Sequence, residues 1–211
     1  MPDAIEQSDH TSGFGRRFAE AIRRMDDANR EDPRTDPVDG QPQPRELLFA
    51  RGVFDWVGRL APSASEALLL AARGHTVRRW RIPRNRYPKT TLGYHEWRDA
   101  LAAYHADETA AILRDLGYPT ETIDRVRGLI LRKNWPGDPE ACALEDADCL
   151  AFLQLKLARY LAEWGDDKTR RILKSTLNKM TEQGRSLAAE IPLGERERAI
   201  LREAAANPPS R

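Results

Sequence analysis

Three ionisable residues fall on helical stripes that are otherwise apolar. His75 shares its stripe with Leu68 and Ala72, His105 with Leu101 and Ile112, and Asp146 with Cys142, Cys149, Leu150, Leu153 and Leu157. Burying such groups is costly unless each finds a partner or a metal. They belong to three different helices, so helix packing could carry them to one point. Two imidazoles and a carboxylate meeting there would hold one divalent first-row metal ion and lower the pKa of a bound water. Glu108, one turn from His105, and Glu145, next to Asp146, are placed to act as a general base. No short ligand motif such as H-E-x-x-H accompanies them. The plainer alternative is two hydrogen-bonded core histidines, with Asp146 paired to one of the arginines that follow His75.

The second chemical feature is the stretch from Arg73 to Lys89, which carries seven arginines and lysines and no acid. Arg78, Arg79, Arg84 and Arg86, interleaved with Trp80 and Tyr87, suit a phosphate group. They could clamp it in a pocket, or follow an RNA backbone with aromatic stacking. The alternative is pairing with the acidic N-terminal part, since residues 1–40 hold ten acids against six bases. Trp56 and Trp97 are expected in the core. Lys168, Arg170, Arg171, Lys174 and Lys179 read as a solvated helix face.

These residues need a scaffold, and the periodicity supplies a helical one. Phe14, Phe18, Ile22 and Met25 mark a first helix, and Leu48, Val53, Trp56, Val57 and Leu60 a second. A third is expected from the Ser63/Glu66 capping box to about Trp80, stopped by Pro83 and Pro88. Gly93–Leu116 is a fourth, with Gly117 as its left-handed cap, and Thr120 opens a fifth. Asp138-Pro139 opens a long helix through Trp164, ended by Gly165. Asp166–Met180 and Glu195–Ala205 complete the pattern. The chain is expected to be all-α, a single compact helical domain of about eight helices with no strand. Residues 1–13 read as a disordered N-terminus, 14–193 as the domain, 31–44 as an extended proline-rich connector within it, and 194–211 as a C-terminal helix and tail.

The chain of 211 residues can bury one sizeable core. Its 34 basic and 33 acidic residues leave a charge of +1, which argues against a coat protein for nucleic acid. The longest apolar run, Ala67–Ala72, is far too short to span a bilayer, so no membrane partner is expected and a cytoplasmic location is. Cys142 and Cys149 lie two helical turns apart, too far for a disulfide.

His75-Thr-Val-Arg-Arg, then His105, then Tyr118 with the helix Val126–Lys133, then Leu144-Glu-Asp-Ala-Asp-Cys-Leu150 resemble the order of elements in HD-domain proteins. That resemblance implies an HD-domain-like helical core and, from the superfamily's active members, metal-dependent phosphohydrolase activity. Two departures stand out. His105 is followed by Ala106 where active members carry an Asp, and the family's first His falls on the position of Thr76 rather than His75. From Phe14 to Leu193 the chain is also similar to the domain-of-unknown-function 4202 family. The phrases that carry this are Glu31-Asp-Pro, Ala64-Ser-Glu-Ala-Leu, Arg79-Trp80, Ile82-Pro-Arg, Tyr87-Pro, Gly93-Tyr94, Trp97-Arg98, Tyr104-His-Ala, Leu144-Glu-Asp and Lys179-Met180.

Two functions follow as expectations. The first is a metal-dependent phosphohydrolase-like protein acting on a phosphorylated small molecule or nucleotide. The second is an HD-like module without catalysis that binds RNA, a nucleotide or an acidic protein through the arginine-rich segment. A third, blander class is a structural partner protein that docks through Glu31–Pro44.

Overall fold

The computed structural model describes residues 14–206, so the expected disordered segment 1–13 lies outside the described residues. Nine α-helices and one short hairpin make up the described chain, which is all-α in class. They are α1 (Arg16–Arg30), α2 (Arg45–Leu60), α3 (Glu66–Gly74), α4 (Thr91–Asp115), α5 (Thr120–Ile130), α6 (Pro139–Leu155), α7 (Leu157–Lys179), α8 (Glu182–Ala188) and α9 (Glu195–Ala206).

α3 sits at the centre because its sequence is apolar all round. Every residue from Ala67 to Gly74 is buried, which is the signature of a helix enclosed by others. α1, α2 and α5 pack around it, α2 lies along α6, and α7 packs on α6 and α9. Phe18, Met25, Leu68, Leu69, Leu70, Leu129, Leu150 and Leu153 form one continuous core through these layers.

The ends of α3 differ from the sequence reading. Ser65, not Ser63, caps it by accepting a hydrogen bond from the Leu68 amide. The helix ends at Gly74 rather than near Trp80, because Gly74 is pressed against α4. A Cβ there would come 2.6 Å from Thr109 Cγ2, and the Thr109 hydroxyl donates to the Gly74 carbonyl at 3.1 Å. The basic stretch that follows is therefore not helix. It runs as two single 3-10 turns, Arg79–Arg81 and Arg84–Arg86.

The proline-rich connector is more regular than its composition suggests. Thr35–Val38 (β1) and Gln41–Pro44 (β2) pair antiparallel through a turn in which Asp39 and Gly40 both have positive φ. Two residues in the left-handed region match the twist of a tight hairpin, and a two-stranded ribbon has edges on which prolines need no amide.

The long helix expected through Trp164 is broken at Lys156, which separates α6 from α7. Gly165 (φ 73°, ψ 178°) is non-helical and divides α7 into two helical segments, 157–164 and 166–179, at the stop expected there. α8 was not foreseen. It is capped by Thr181, whose side chain accepts from the Gly184 amide. No helix among the described residues is long and apolar enough to cross a membrane.

Candidate functional site

A cavity of about 1160 Å³ lies between α4, α6, α7 and the two 3-10 turns. Each wall is one face of a helix. On α4 the face is Tyr94, Arg98, Leu101, Ala102 and His105, at intervals of four, three, one and three residues. On α6 it is Glu145, Asp148, Cys149 and Phe152, and on α7 it is Lys168, Arg171, Ser175 and Lys179 with Ile172 and Thr176. These are the i, i+3, i+4, i+7 positions that a helix presents together.

Eleven arginines and lysines line the cavity against three carboxylates, Glu46, Glu145 and Asp148. Several cations are committed to those acids. Arg132 Nε lies 2.5 Å from Glu145 Oε2, a charge contact without the alignment of a hydrogen bond, and Lys179 Nζ lies 3.6 Å from Glu145 Oε1. Arg34 donates to Glu46 at 3.0 Å. Among the described residues Arg98, Lys156, Lys168 and Arg171 have no carboxylate within ion-pair distance. Trp80, Trp97, Tyr160 and Trp164 supply aromatic surface. Tyr160 and Trp164 lie 4.2 Å apart by ring centroid, with Lys168 Nζ 4.0 Å from the Trp164 ring centroid.

His75 stands at the C-cap of α3 and lines the cavity, not the interior of a longer helix. Both of its ring nitrogens face acceptors. Nδ1 lies 2.9 Å from the Ala72 carbonyl and Nε2 lies 3.2 Å from Asp148 Oδ1. The Ala72 carbonyl can only accept, so the Nδ1 contact requires a proton on that nitrogen. Burial works against that carboxylate, but the His75 hydrogen bond and the charges of His75, Arg132 and Arg98 outweigh it and hold Asp148 well below the usual range. His105 is the opposite case. Nδ1 donates to the Val77 carbonyl at 2.9 Å, and burial, followed by the charge of Arg79, pushes the ring down to about 3. His105 is thus a neutral imidazole whose Nε2 lone pair has no partner among the described residues.

Unpaired buried polar atoms concentrate here. Glu46 Oε2, Thr76 Oγ1 and His105 Nε2 are enclosed without a hydrogen-bond partner, and all three residues line the cavity. Groups of this kind are normally satisfied by water or a ligand.

The structure brings together only part of the expected site. His75 and His105 both line the cavity, but Asp146 does not. One residue along α6 turns a side chain by about 100°, and Asp146 faces α8. It accepts the Thr181 amide at 2.9 Å and the Thr181 hydroxyl, anchoring the start of that helix. A Cβ at Gly184 would come 2.5 Å from Asp146 Cγ, so the two elements are in contact there. The expected metal triad therefore does not fit. His75 is saturated, Asp146 is elsewhere, and among the described residues no group of three His, Cys, Asp or Glu is placed to hold a metal ion. Asp146→Ala is expected to cost about 1–3 kcal/mol in denaturant unfolding through the lost buried bonds, while the NMR signals of the His75 ring stay in place.

Of the two expected general bases, Glu145 is in the cavity but paired, and Glu108 lies outside its lining, bonded to Arg78 at 2.8 Å. Of the six expected anion-binding residues, Arg79, Trp80 and Arg84 line the cavity. Arg78 turns away to Glu31 and Glu108, an acid pairing of the kind the N-terminal charge balance suggested. Arg86 and Tyr87 also lie outside the lining. Trp56 is buried as expected, whereas Trp97 lines the cavity and donates its indole N–H to the Ile82 carbonyl.

The sequence reading does not place Arg98, Arg132 or Lys156 in the site, and it takes Lys168 and Arg171 as part of a solvated helix face although they line the cavity. Arg98 precedes His105 by seven residues on the same stripe, and the cations of α7 share a face with Ile172, so both were marked by periodicity. Arg132 carried no such mark. It sits just beyond α5 with φ 56°, a left-handed conformation outside any helical pattern.

No curated protein and no solved structure matches the chain. A protein-family profile described as Domain of unknown function (DUF4202) matches residues 19–201. That span covers most of the sequence, including every wall of the cavity, and the chain belongs to the DUF4202 family.

Proposed function

We propose that this protein binds a phosphate-bearing small molecule, a nucleotide among the ligands of that class, in the cavity between α4, α6 and α7. The observation that carries the reading is the set of uncommitted cations, Arg98, Lys156, Lys168 and Arg171, around a space with only three carboxylates. Guanidinium and ammonium groups left without acids in a partly buried site are matched by phosphate oxygens. The aromatic surface of Trp97, Tyr160 and Trp164 would accommodate a ring on the same ligand.

Of the two functions expected from the sequence, binding without a metal is the one these residues favour. An HD-like core would account for His75 and His105 meeting at one cavity. The acid beside His75 is Asp148, however, and it holds the imidazole rather than leaving a free donor set. The phosphohydrolase reading is left with a phosphate site and no metal triad.

The test is thermal unfolding of the full chain in the presence of a chelator, with pyrophosphate, nucleoside phosphates and their unphosphorylated counterparts. Stabilisation that rises with ligand concentration and needs a phosphate group is the expected result. No stabilisation by any phosphate compound, or stabilisation only after a divalent metal is restored, would overturn the reading.

A further inference from the structure

Lys156 occupies the break between α6 and α7, held at φ −122° and ψ −19°. It lines the cavity, half-buried, with its Nζ 3.2 Å from the centroid of the Phe49 ring and no carboxylate within ion-pair distance among the described residues. The charges that act on it are Glu46 and Asp148 of opposite sign and Arg79 and Arg159 of its own. Burial, together with the two guanidinium groups, brings the amine down to about 8 against the pull of the two carboxylates. A desolvated amine beside other cations is the arrangement that keeps a lysine available as a nucleophile near neutral pH.

Lys156 shares its cavity with Arg98, Lys168 and Arg171, the other cations that no carboxylate among the described residues engages.

We propose that Lys156 forms an imine with the carbonyl group of a phosphorylated aldehyde or ketone, its phosphate held by the neighbouring cations. The proposal rests on the phosphate reading above. The neutral amine adds to the carbonyl carbon, forming the C–N bond while the C=O π pair moves to oxygen, and a proton passes from nitrogen to that oxygen. The carbinolamine then expels its hydroxyl with a proton from solvent, and the nitrogen lone pair closes the C=N bond. One amine, one carbonyl and one proton give one protonated imine and one water. Nothing is oxidised or reduced.

The experiment incubates the full chain with glycolaldehyde phosphate, reduces with cyanoborohydride and maps the adducts by mass spectrometry. The expected result is one adduct per chain on Lys156, at least about tenfold above each of the other five lysines, where tenfold corresponds to ~1.4 kcal/mol. Pyrophosphate should suppress it, unphosphorylated glycolaldehyde should give far less, and trapping should rise through about pH 8 rather than near the ordinary lysine value of 10.5. Lys156→Arg, which has no primary amine, should abolish the adduct, and Arg98→Gln, which leaves the amine in place, should lower it together with pyrophosphate affinity. Adducts spread evenly over the lysines, or an unmodified Lys156 in a protein that binds pyrophosphate, would overturn the imine proposal alone. If the wild-type chain does not bind pyrophosphate at all, the phosphate reading and the proposal fall together.

Discussion

Replacing Arg98 with glutamine is expected to weaken pyrophosphate binding to the full chain by about 10- to 100-fold in isothermal titration calorimetry. The size follows from the ~1.5–3 kcal/mol attached to a hydrogen bond with a charged partner and the ~1.4 kcal/mol that corresponds to each decade of affinity. Arg98 is the residue to test first because among the described residues it makes no hydrogen bond or ion pair, with Asp148 and Glu145 acting on it only at longer range. It faces the cavity from the His105 stripe with no carboxylate within ion-pair distance among the described residues, and glutamine keeps its stem and polarity without the charge. Arg171→Gln, on the opposite wall, should act in the same direction. The control is Arg170→Gln. Arg170 neighbours Arg171 in sequence but is paired with Asp167 and Glu203, so affinity should stay within about twofold, as expected for an exposed pair. Equal losses at Arg170 and Arg171 would indicate general surface attraction rather than a site.

Acidification is expected to destabilise the fold through His105. Its folded pKa of about 3 lies below the ordinary histidine value of 6.5, because burial and the charge of Arg79 oppose protonation. The stabilisation is therefore fully present above pH 6.5 and is lost progressively as pH falls toward 3, because the unfolded chain takes up a proton that the folded chain refuses. The slope is roughly 1.4 kcal/mol per pH unit for one such group, or on the order of 3 kcal/mol between pH 6.5 and 4.5. Denaturant melts across that window measure it. His105→Asn can retain a donor toward the Val77 carbonyl and cannot titrate, so its stability should be nearly flat over the same range. An unchanged slope in that variant would assign the acid sensitivity to other groups. Asp148, held low by His75 and its arginine neighbours, adds its own loss only in stronger acid.

The fold was largely legible because it rests on local signals. Helix spacing, the Asp138-Pro139 start and the Gly117 stop all lie within a few residues of one another and correspond to α4, α5 and α6 as observed. The end of α3 was not legible, since it depends on the close approach of Gly74 to Thr109, which lies 35 residues on. The hairpin at 35–44 was hidden because its three prolines argue against a central strand and say nothing against an isolated ribbon. In the site, His75 and His105 were found because an imidazole on an apolar stripe is conspicuous. Asp146 was conspicuous for the same reason, yet its stripe leads to α8 and to a structural role. The acid that serves the cavity is Asp148, two residues away on the face of Glu145 and Phe152, and only the direction of that face separates the two. Lys168, Arg171 and Lys179 looked like a solvated surface because a charged helix face has the same pattern whether it meets water or a cavity wall.

The most direct test of the central claim is an experimental crystal structure of the full chain grown with pyrophosphate. The claim predicts an anion inside the cavity, with phosphate oxygens about 2.7–2.9 Å from the guanidinium of Arg98 and the ammonium of Lys156, and with the His75–Asp148 contact intact. A cavity that stays free of pyrophosphate at saturating concentration, or one closed by its own side chains with Arg98 turned to solvent, would contradict it.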